Sequence, residues 1–503
     1  MSSSESRSES KFQSSPAPAT DVINEFEALL NKEFKPQGTQ KQIGIQNAVR
    51  TLAQQALASN DLVSPDVTKT ISAIIADIDR KLSEQLNPIL HHEDFKALEG
   101  AWRGLHHLVN HTETDEMLKI RVLNISKHDL EKTLKEFEGT SWDQSPLFKK
   151  LYQEEFGTPG GQPYGCLLGD YYFDHSPEDV KMLGNIAKIA SAMQAPFIAG
   201  AAASVMGMDS WQELSNPPGL TNIFQSAEYA SWRSLRDSED ARYIGLAMPR
   251  FLSRLPYGAK TVPLDEFAFV EDTEGADQSK YVWANAAFAM GANITRAFKL
   301  WGWCARIRGA ESGGAVEGLP VHTFPIDDGS VEMKCPTEIG ITDQRQAELA
   351  KSGFVPLAHY KNTNTAVFVG AHSLQRPKVY DEYQATANDT LAAQLPYLFA
   401  SSRFAHYLTC MVRDRIGSFM EKDELEHWLN EWIQNYVTTD PKASEEIKAK
   451  RPLSSAHITV EAELGRPGYY RVVLDIRPHF QLEGLTAPLR TVFRVTSPSR
   501  ARG

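Results

Sequence analysis

Histidines and carboxylates at short spacing are where a chain could hold a metal or move protons, and two such runs stand out here. His91-His92-Glu93-Asp94 is the first, but adjacent residues do not share a helical face and the i,i+4 pair of a zinc helix is missing. It reads as the polar start of a helix. His107 and His111 do have that spacing, with His106 beside them, yet no Cys or carboxylate is placed to complete a site, so a packed or solvated pair is the simpler reading. Asp327-Asp328 and the group Asp237, Glu239 and Asp240 are loop carboxylates without calcium-loop spacing. A phosphate-cradling loop should lie between a strand and a helix. Gly309 to Gly318 instead follows a helical pattern, carries Glu311 and Glu317 where an anion would rest, and lacks Gly-Lys-Ser/Thr. No Gly-x-Ser-x-Gly elbow is present. Cys166, Cys304, Cys335 and Cys410 lie far apart with no C-x-x-C pair, and read as buried thiols of a reducing cytosol. No catalytic, cofactor or metal site is expected, and that absence points weakly towards assembly.

The 503 residues suffice for about three domains, and 42% apolar with 23% charged residues is ordinary globular usage. A formal net charge of -12 disfavours nucleic acid as the main partner. The start of the chain lacks the apolar run of a secretory signal, and Ala195 to Met208 is too short and too rich in Gly and Ala to span a bilayer. The expectation is a cytoplasmic protein without membrane insertion.

Residues 1–20 are Ser, Glu, Pro and Ala with little to bury, and read as a disordered tail. Residues 21–60 read as an exposed helical segment. In it Val22, Ile23, Phe26, Leu29, Leu30 and Phe34 form one stripe behind a Thr20 or Asp21 cap, and Lys35-Pro-Gln-Gly38 stops the helix. A helix of about fourteen residues is marginal alone. Its stripe either packs on its own domain or is presented to another protein's groove. Residues 61–117 read as a helical pair packing on the core. Ser64-Pro65 starts the first helix, with Val67, Ile71, Ile74, Ile78 and Leu82 as its buried stripe and Pro88 as its end. The second carries Phe95, Leu98, Trp102, Leu105 and Val109 at spacings of three and four.

Residues 118–452 alternate strand-like and helical segments. Strands are expected at Leu118–Ile125, Gly165–Phe173, Pro196–Ala201 and Arg242–Met248, with helices at Lys127–Phe137, Ser176–Met193 and Tyr229–Ser238 between them. Several strands are apolar on both faces, which suits a mostly parallel sheet covered by helices. A long helix is expected over Tyr281–Arg308, a loop or short strands over 309–340, and a helix over Asp343–Lys351. Phe354–His359 and Thr365–Val369 read as a hairpin. Ala385–Ile416 is helical with a break near Pro396, and Lys422–Tyr436 forms a further helix whose acidic stretch Glu421–Glu431 reads as solvated.

Residues 453–503 are a terminal β segment. Tyr470, Val472, Leu474 and Ile476 fall on one side at period two, opposite Tyr469, Arg471, Val473, Asp475 and Arg477. His457–Leu464 repeats the alternation, Leu489, Thr491, Phe493 and Val495 give a third, and Gly465–Gly468 reads as a hairpin turn. Three strands at a chain end leave an edge to manage. They either close the domain's own sheet or exchange with another chain.

Ala101-Trp-Arg-Gly-Leu105, Pro196–Ala201, Arg254-Leu-Pro-Tyr-Gly258, Trp283-Ala-Asn-Ala286, Gly353-Phe-Val-Pro-Leu357, Arg403–Leu408 and Gly468–Glu483 stand in one order along the chain. Together they resemble the large subunit of the type VI secretion contractile sheath, the TssC/VipB family, a relative in architecture of phage tail sheaths. The resemblance implies a mixed α/β, phage-tail-sheath-like core with exposed N-terminal helices and a C-terminal strand-exchange β segment. It implies a structural role without catalysis. The partners it implies are a small sheath subunit (TssB/VipA-like), copies of the chain itself in stacked six-fold rings, an inner tube of haemolysin-coregulated protein (Hcp-like), and a baseplate. It further implies that Tyr470, Val472, Leu474, Ile476, Arg471, Arg477 and Phe493 belong to an intersubunit strand system. Val22, Ile23, Phe26, Leu29 and Leu30 would be the helix that the AAA+ unfoldase ClpV recognises. A different class remains as the alternative: a cytosolic α/β enzyme with an unrecognised site between residues 165 and 330.

Overall fold

The structure is a computed structural model that describes residues 67–215, 219–273, 277–325, 331–415, 422–440, 442–462, 470–479 and 489–495. The tail 1–20, the segment 21–60 with Val22, Ile23, Phe26, Leu29 and Leu30, the Ser64-Pro65 start, the turn Gly465–Gly468, Asp327-Asp328 and Glu421 lie outside the described residues. The chain divides into two compact units, Met1–Lys96 with Leu255–Tyr281, and Ala97–Arg254 with Val282–Gly503.

In the smaller unit α1 (Val67–Leu90) buries Ile71 and Ile74 and half-buries Ile78 and Leu82, as its stripe requires. The helix runs past Pro88, which stands in the last turn, so the expected stop falls two residues later at Leu90. Asp79, Ser83 and Asn87 recur every four residues and therefore share a face. They hold an extended stretch of the other segment: Asp272 N–H donates to Asn87 Oδ1 at 2.8 Å, Asn87 Nδ2 to Val270 O at 3.1 Å, and Ala268 N–H to Asp79 Oδ2 at 3.3 Å. The next helix, α2 (Glu93–Asn110), begins in this unit and continues into the larger one.

The larger unit carries on with α3 (Lys127–Glu136), β1 (Leu167–Phe173), α4 (Pro177–Met193), β2 (Phe197–Ala201), α5 (Ala230–Arg236) and β3 (Ile244–Met248). The ribbon β4 (Phe251–Leu252) with β5 (Trp283–Ala284) follows, then α6 (Ala286–Trp301), β6 (Ala315–Val316) and the ribbon β7 (Thr323–Pro325) with β8 (Val331–Met333). Next come α7 (Asp343–Lys351), the hairpin β9 (Phe354–His359) and β10 (Ala366–Phe368), and the helices α8 (Tyr383–Ala392), α9 (Leu395–Arg415) and α10 (Lys422–Gln434). Three strands, β11 (Leu453–Ala462), β12 (Tyr470–Pro478) and β13 (Leu489–Val495), follow.

The main sheet has the order β1-β2-β3-β9-β10-β6, parallel from β1 to β9 and antiparallel beyond. β2 and β3 are buried along their whole length, the outcome of runs apolar on both faces. α4 starts on Ser176, whose side chain accepts from Asp179 N–H, with Pro177 in the first turn.

Two expectations are corrected here. Leu118–Ile125 forms no strand. In β1 the carbonyls of Tyr171 and Tyr172 are taken by Asn285 Nδ2 and Lys127 Nζ, and Ile120 packs against the buried cluster of Leu108, Phe288 and Ala292. The long helix is shorter than Tyr281–Arg308, because Asn285 caps it by accepting from Ala287 N–H at 3.0 Å, and Gly302 ends it in the left-handed region at φ 78°. Its expected first residues form β5 instead.

Candidate interaction surfaces

The terminal sheet is a meander, β11-β12-β13, all antiparallel. Val472, Leu474 and Ile476 are buried, with Ile458, Val460 and Leu453, in one cluster with Leu425, Leu429 and Ile433 of α10 and Phe404 and Leu408 of α9. Trp303, Phe404, Trp432 and Tyr436 form the aromatic side of that cluster, with the Trp303 and Phe404 rings stacked at 4.3 Å. The apolar side of β12 thus belongs to the chain's own core. Val473 is also buried, at 2%, so the opposite side is not uniformly polar as read, while Arg471 and Arg477 are exposed. Register places Val472 opposite Val460 and Phe493, and Leu474 opposite Ile458 and Thr491. Tyr470 stands opposite Ala462 and Val495.

The two edges of this sheet are treated differently. α10 carries Glu426, Asn430 and Gln434 at four-residue intervals, on the rim of the face that Leu425, Leu429 and Ile433 bury. Asn430 accepts from Ile458 N–H at 2.9 Å and donates to Ile458 O at 2.6 Å. Glu426 Oε2 accepts from Val460 N–H at 2.7 Å, and Gln434 Nε2 donates to Ala456 O at 3.2 Å. Side chains therefore replace a neighbouring strand along β11, and Glu426 is not part of a merely solvated acidic face. Sequence reading missed this ladder; its signal was the Glu-x-x-x-Asn-x-x-x-Gln spacing itself.

Backbone alternation fixes what β13 offers. In an antiparallel ladder a residue turns both backbone groups to one side, and the side alternates. Ala456, Ile458 and Val460 face α10, so their partners Ile476, Leu474 and Val472 face β13, and Leu489, Thr491 and Phe493 face back to β12. Arg490, Val492 and Arg494 consequently turn their backbone groups to the outer edge. Among the described residues no further strand pairs there.

α2 shows a second asymmetry. Its packed side is Gly100, Gly104 and Leu108, not the large apolar stripe expected to be buried. A Cβ at Gly100 would meet the Trp283 carbonyl, and one at Gly104 the Phe288 ring, so only glycine permits the approach. Phe95, Leu98, Trp102 and Val109 are exposed. Below the helix Arg254, 7% exposed, holds Glu99 with Nε to Oε1 at 2.6 Å and Nη2 to Oε2 at 3.2 Å, and Arg103 adds Nε to Oε1 at 2.7 Å. Burial pushes the Glu99 carboxyl up, but the hydrogen bonds and charge of Arg254 and Arg103 outweigh it and hold it low.

The chemistry-bearing runs resolve into structure. His107 and His111 have ring centroids 4.1 Å apart, and His107 also lies against Phe251. Burial, with the neighbouring histidines, lowers the His107 pKa to about 4, as expected of a packed neutral ring. Asp237 is bound by both Nε and Nη2 of Arg376 at 2.8 and 2.7 Å. The glycine loop is a turn whose carbonyls at Gly313 and Ala315 accept from Arg296 Nη2, so that guanidinium is committed to backbone. All four cysteines are free and half-buried instead of fully buried. Among the described residues no group of three His, Cys, Asp or Glu is placed to hold a metal, and no helix is long and apolar enough to cross a membrane.

Comparison with known proteins agrees with this layout. Residues 72–375 match the family model of the EvpB/VC_A0108 tail sheath N-terminal domain, and residues 384–495 that of the tail sheath gpW/gp25-like domain, which makes this a tail-sheath protein. The chain is 63% identical over 483 residues to the type VI secretion system sheath protein TssC1 of Pseudomonas aeruginosa PAO1, covering 96% of this chain and 97% of that one. It belongs to the TssC/VipB family of type VI secretion sheath large subunits, whose role is structural. A solved structure of the anti-feeding prophage baseplate, 6-fold symmetrised, aligns over 77% of this chain and 84% of that chain at 10% identity and a TM-score of 0.31, a likeness too low to carry weight.

Proposed function

We propose that the chain co-polymerises with a small sheath subunit of the TssB/VipA type into stacked six-fold rings in the bacterial cytoplasm, around an Hcp-like inner tube and upon a baseplate. Contraction of the rings propels the tube, with no catalytic step in this chain. The observation that carries this reading is the unequal treatment of the terminal sheet's edges. α10 satisfies β11 with side chains, whereas β13 turns the backbone of Arg490, Val492 and Arg494 outward without a strand partner among the described residues. A strand from a neighbouring subunit added there would gain main-chain hydrogen bonds. The buried Val472, Leu474 and Ile476, with Tyr470 and Phe493 in the same register, would keep the receiving sheet from slipping, because a one-residue slip turns every side chain to the wrong face. Arg471 and Arg477 would remain at the surface for acidic partners. Additional burial between contracted rings, at about 25 cal/mol per Å2 of apolar surface, supplies the driving energy when summed over many subunits.

The stripe Val22, Ile23, Phe26, Leu29 and Leu30 is the segment offered to the AAA+ unfoldase ClpV for recycling contracted sheath. Two experiments test these readings. Co-expression with the small subunit, followed by electron microscopy, should give hollow cogwheel tubules; a discrete small oligomer would remove the assembly reading. Unfoldase binding to a Phe26→Asp, Leu30→Asp double variant should weaken at least tenfold, and undiminished binding would end the recycling idea.

A further inference from the structure

Cys335 differs from the other three cysteines in what stands beside its sulfur. Just beyond β8 the backbone is held against β4, with Leu252 N–H donating to Pro336 O at 2.7 Å and Glu338 N–H to Arg250 O at 3.1 Å. That fixes the half-buried Cys335 with Thr337 Oγ1 3.1 Å from its sulfur. The side chain of His359, the last residue of β9, interacts with the same thiol. Its Nε2 lies 2.9 Å from Thr363 O. A carbonyl only accepts, so Nε2 carries a hydrogen, and in the neutral ring Nδ1 keeps the lone pair that can take a proton. A nucleophile, a base and a group that orients the base thus stand in line. Thr337 Oγ1 is also 2.8 Å from Ile339 O, so its one hydrogen serves that carbonyl beside a neutral thiol and turns to the sulfur once that is charged. Burial pushes the Cys335 thiol up, but hydrogen bonding with His359 and Thr337 and the His359 charge outweigh it and hold it below the ordinary value. The other sulfurs go the opposite way: burial raises Cys166 and Cys410, and takes Cys304 up to about 12.

We propose that Cys335 is a modification site for hydroperoxides, with His359 as the base that delivers its thiolate. His359 Nδ1 takes the thiol proton, and the sulfur attacks the terminal oxygen of the hydroperoxide. The S–O bond forms as the O–O bond breaks, and the departing oxygen takes the proton from the imidazolium, leaving as water or an alcohol. The sulfur gives up two electrons, the peroxide is reduced by the same two, and a sulfenic acid remains on Cys335. The site is independent of the assembly reading, since every group it uses lies in this chain.

The test exposes the full chain, co-expressed with its small subunit, to hydrogen peroxide at pH 7 with dimedone present, and counts adducts by mass spectrometry. Cys335 should carry at least ten times the dimedone of any other cysteine, and the preference should vanish when the chain is oxidised in urea. A second series follows iodoacetamide alkylation of Cys335 against pH. The parent's rate should hold up below the ordinary thiol value of about 8.5, where an unassisted thiol slows about tenfold per pH unit. His359→Gln should restore that slope and slow the reaction at pH 6.5 at least fivefold. Comparable dimedone on several cysteines, a preference that survives in urea, or a pH profile that His359→Gln leaves unchanged would each overturn the proposal. An inflection at or above about 8.5 in the parent chain overturns it without any variant.

Discussion

The six-stranded sheet and the terminal three-stranded sheet handle the same hazard, unpaired strand edges, in opposite ways. The larger sheet ends on one side in the two-residue strand β6 and on the other in β1, where Asn285 and Lys127 occupy carbonyls. Short or plugged edges do not template another chain. In the terminal sheet α10 satisfies the β11 edge with side chains, whereas along β13, a seven-residue strand, no further strand pairs among the described residues. On the reading proposed above, the first sheet serves as a body and the second accepts a neighbour.

If that contrast is right, damage to the body should unfold the chain globally, whereas damage to the terminal sheet should stay local. The largest effect is expected from Arg254→Leu, which leaves the buried Glu99 carboxylate with Arg103 alone. The cost should be about 3–5 kcal/mol, measured by urea unfolding of the co-expressed complex. Asn430→Leu removes both partners of the Ile458 backbone and should cost about 2–3 kcal/mol. Hydrogen exchange should show that loss concentrated at Ile458 and its neighbours on β11, with the body protected.

Acid probes the body next. His406, 4% exposed in α9, has its Nε2 2.8 Å from Met193 O, and burial, with the charge of Arg403 adding, depresses its pKa to about 4 despite that hydrogen bond. A histidine with a depressed folded pKa stabilises fully above its unfolded value of about 6.5, and the contribution is lost as pH falls from there towards 4. At pH 5 the loss should be about 2 kcal/mol for this residue. His372 and His107 are lowered to about 4 in the same direction by burial. Unfolding curves at pH 7 and pH 5 should differ by less in His406→Leu than in the parent chain.

Much of this contrast was readable before the fold was seen, and the unreadable part has a common cause. β2 and β3 announced themselves as apolar runs, β1 by its apolar start Cys166-Leu-Leu-Gly169, and the β9–β10 hairpin by its turn, because these depend on local pattern. Val472, Leu474 and Ile476 were legible as a buried side for the same reason. Leu118–Ile125 had a strand's alternation but no strand to pair with, since Asn285 and Lys127 approach β1 from distant or unrelated positions. α2 was legible as a helix, but which side it buries was not. Periodicity finds a large apolar stripe, while Gly100 and Gly104 win the packed side through close approach to Trp283 and Phe288. The α10 ladder was illegible because Glu426, Asn430 and Gln434 read as ordinary surface residues until β11 lies beside them.

The smallest expected stability change belongs to the most direct test. Val492→Pro removes an outward-facing N–H from β13 while leaving the bonds to β12, which edge strands tolerate. Stability should move by less than about 0.5 kcal/mol. Co-expressed with the small subunit, this variant should yield folded complex and no tubules under the electron microscope. Tubules at the parent's yield and length would contradict the claim that the β13 edge is where neighbouring subunits join.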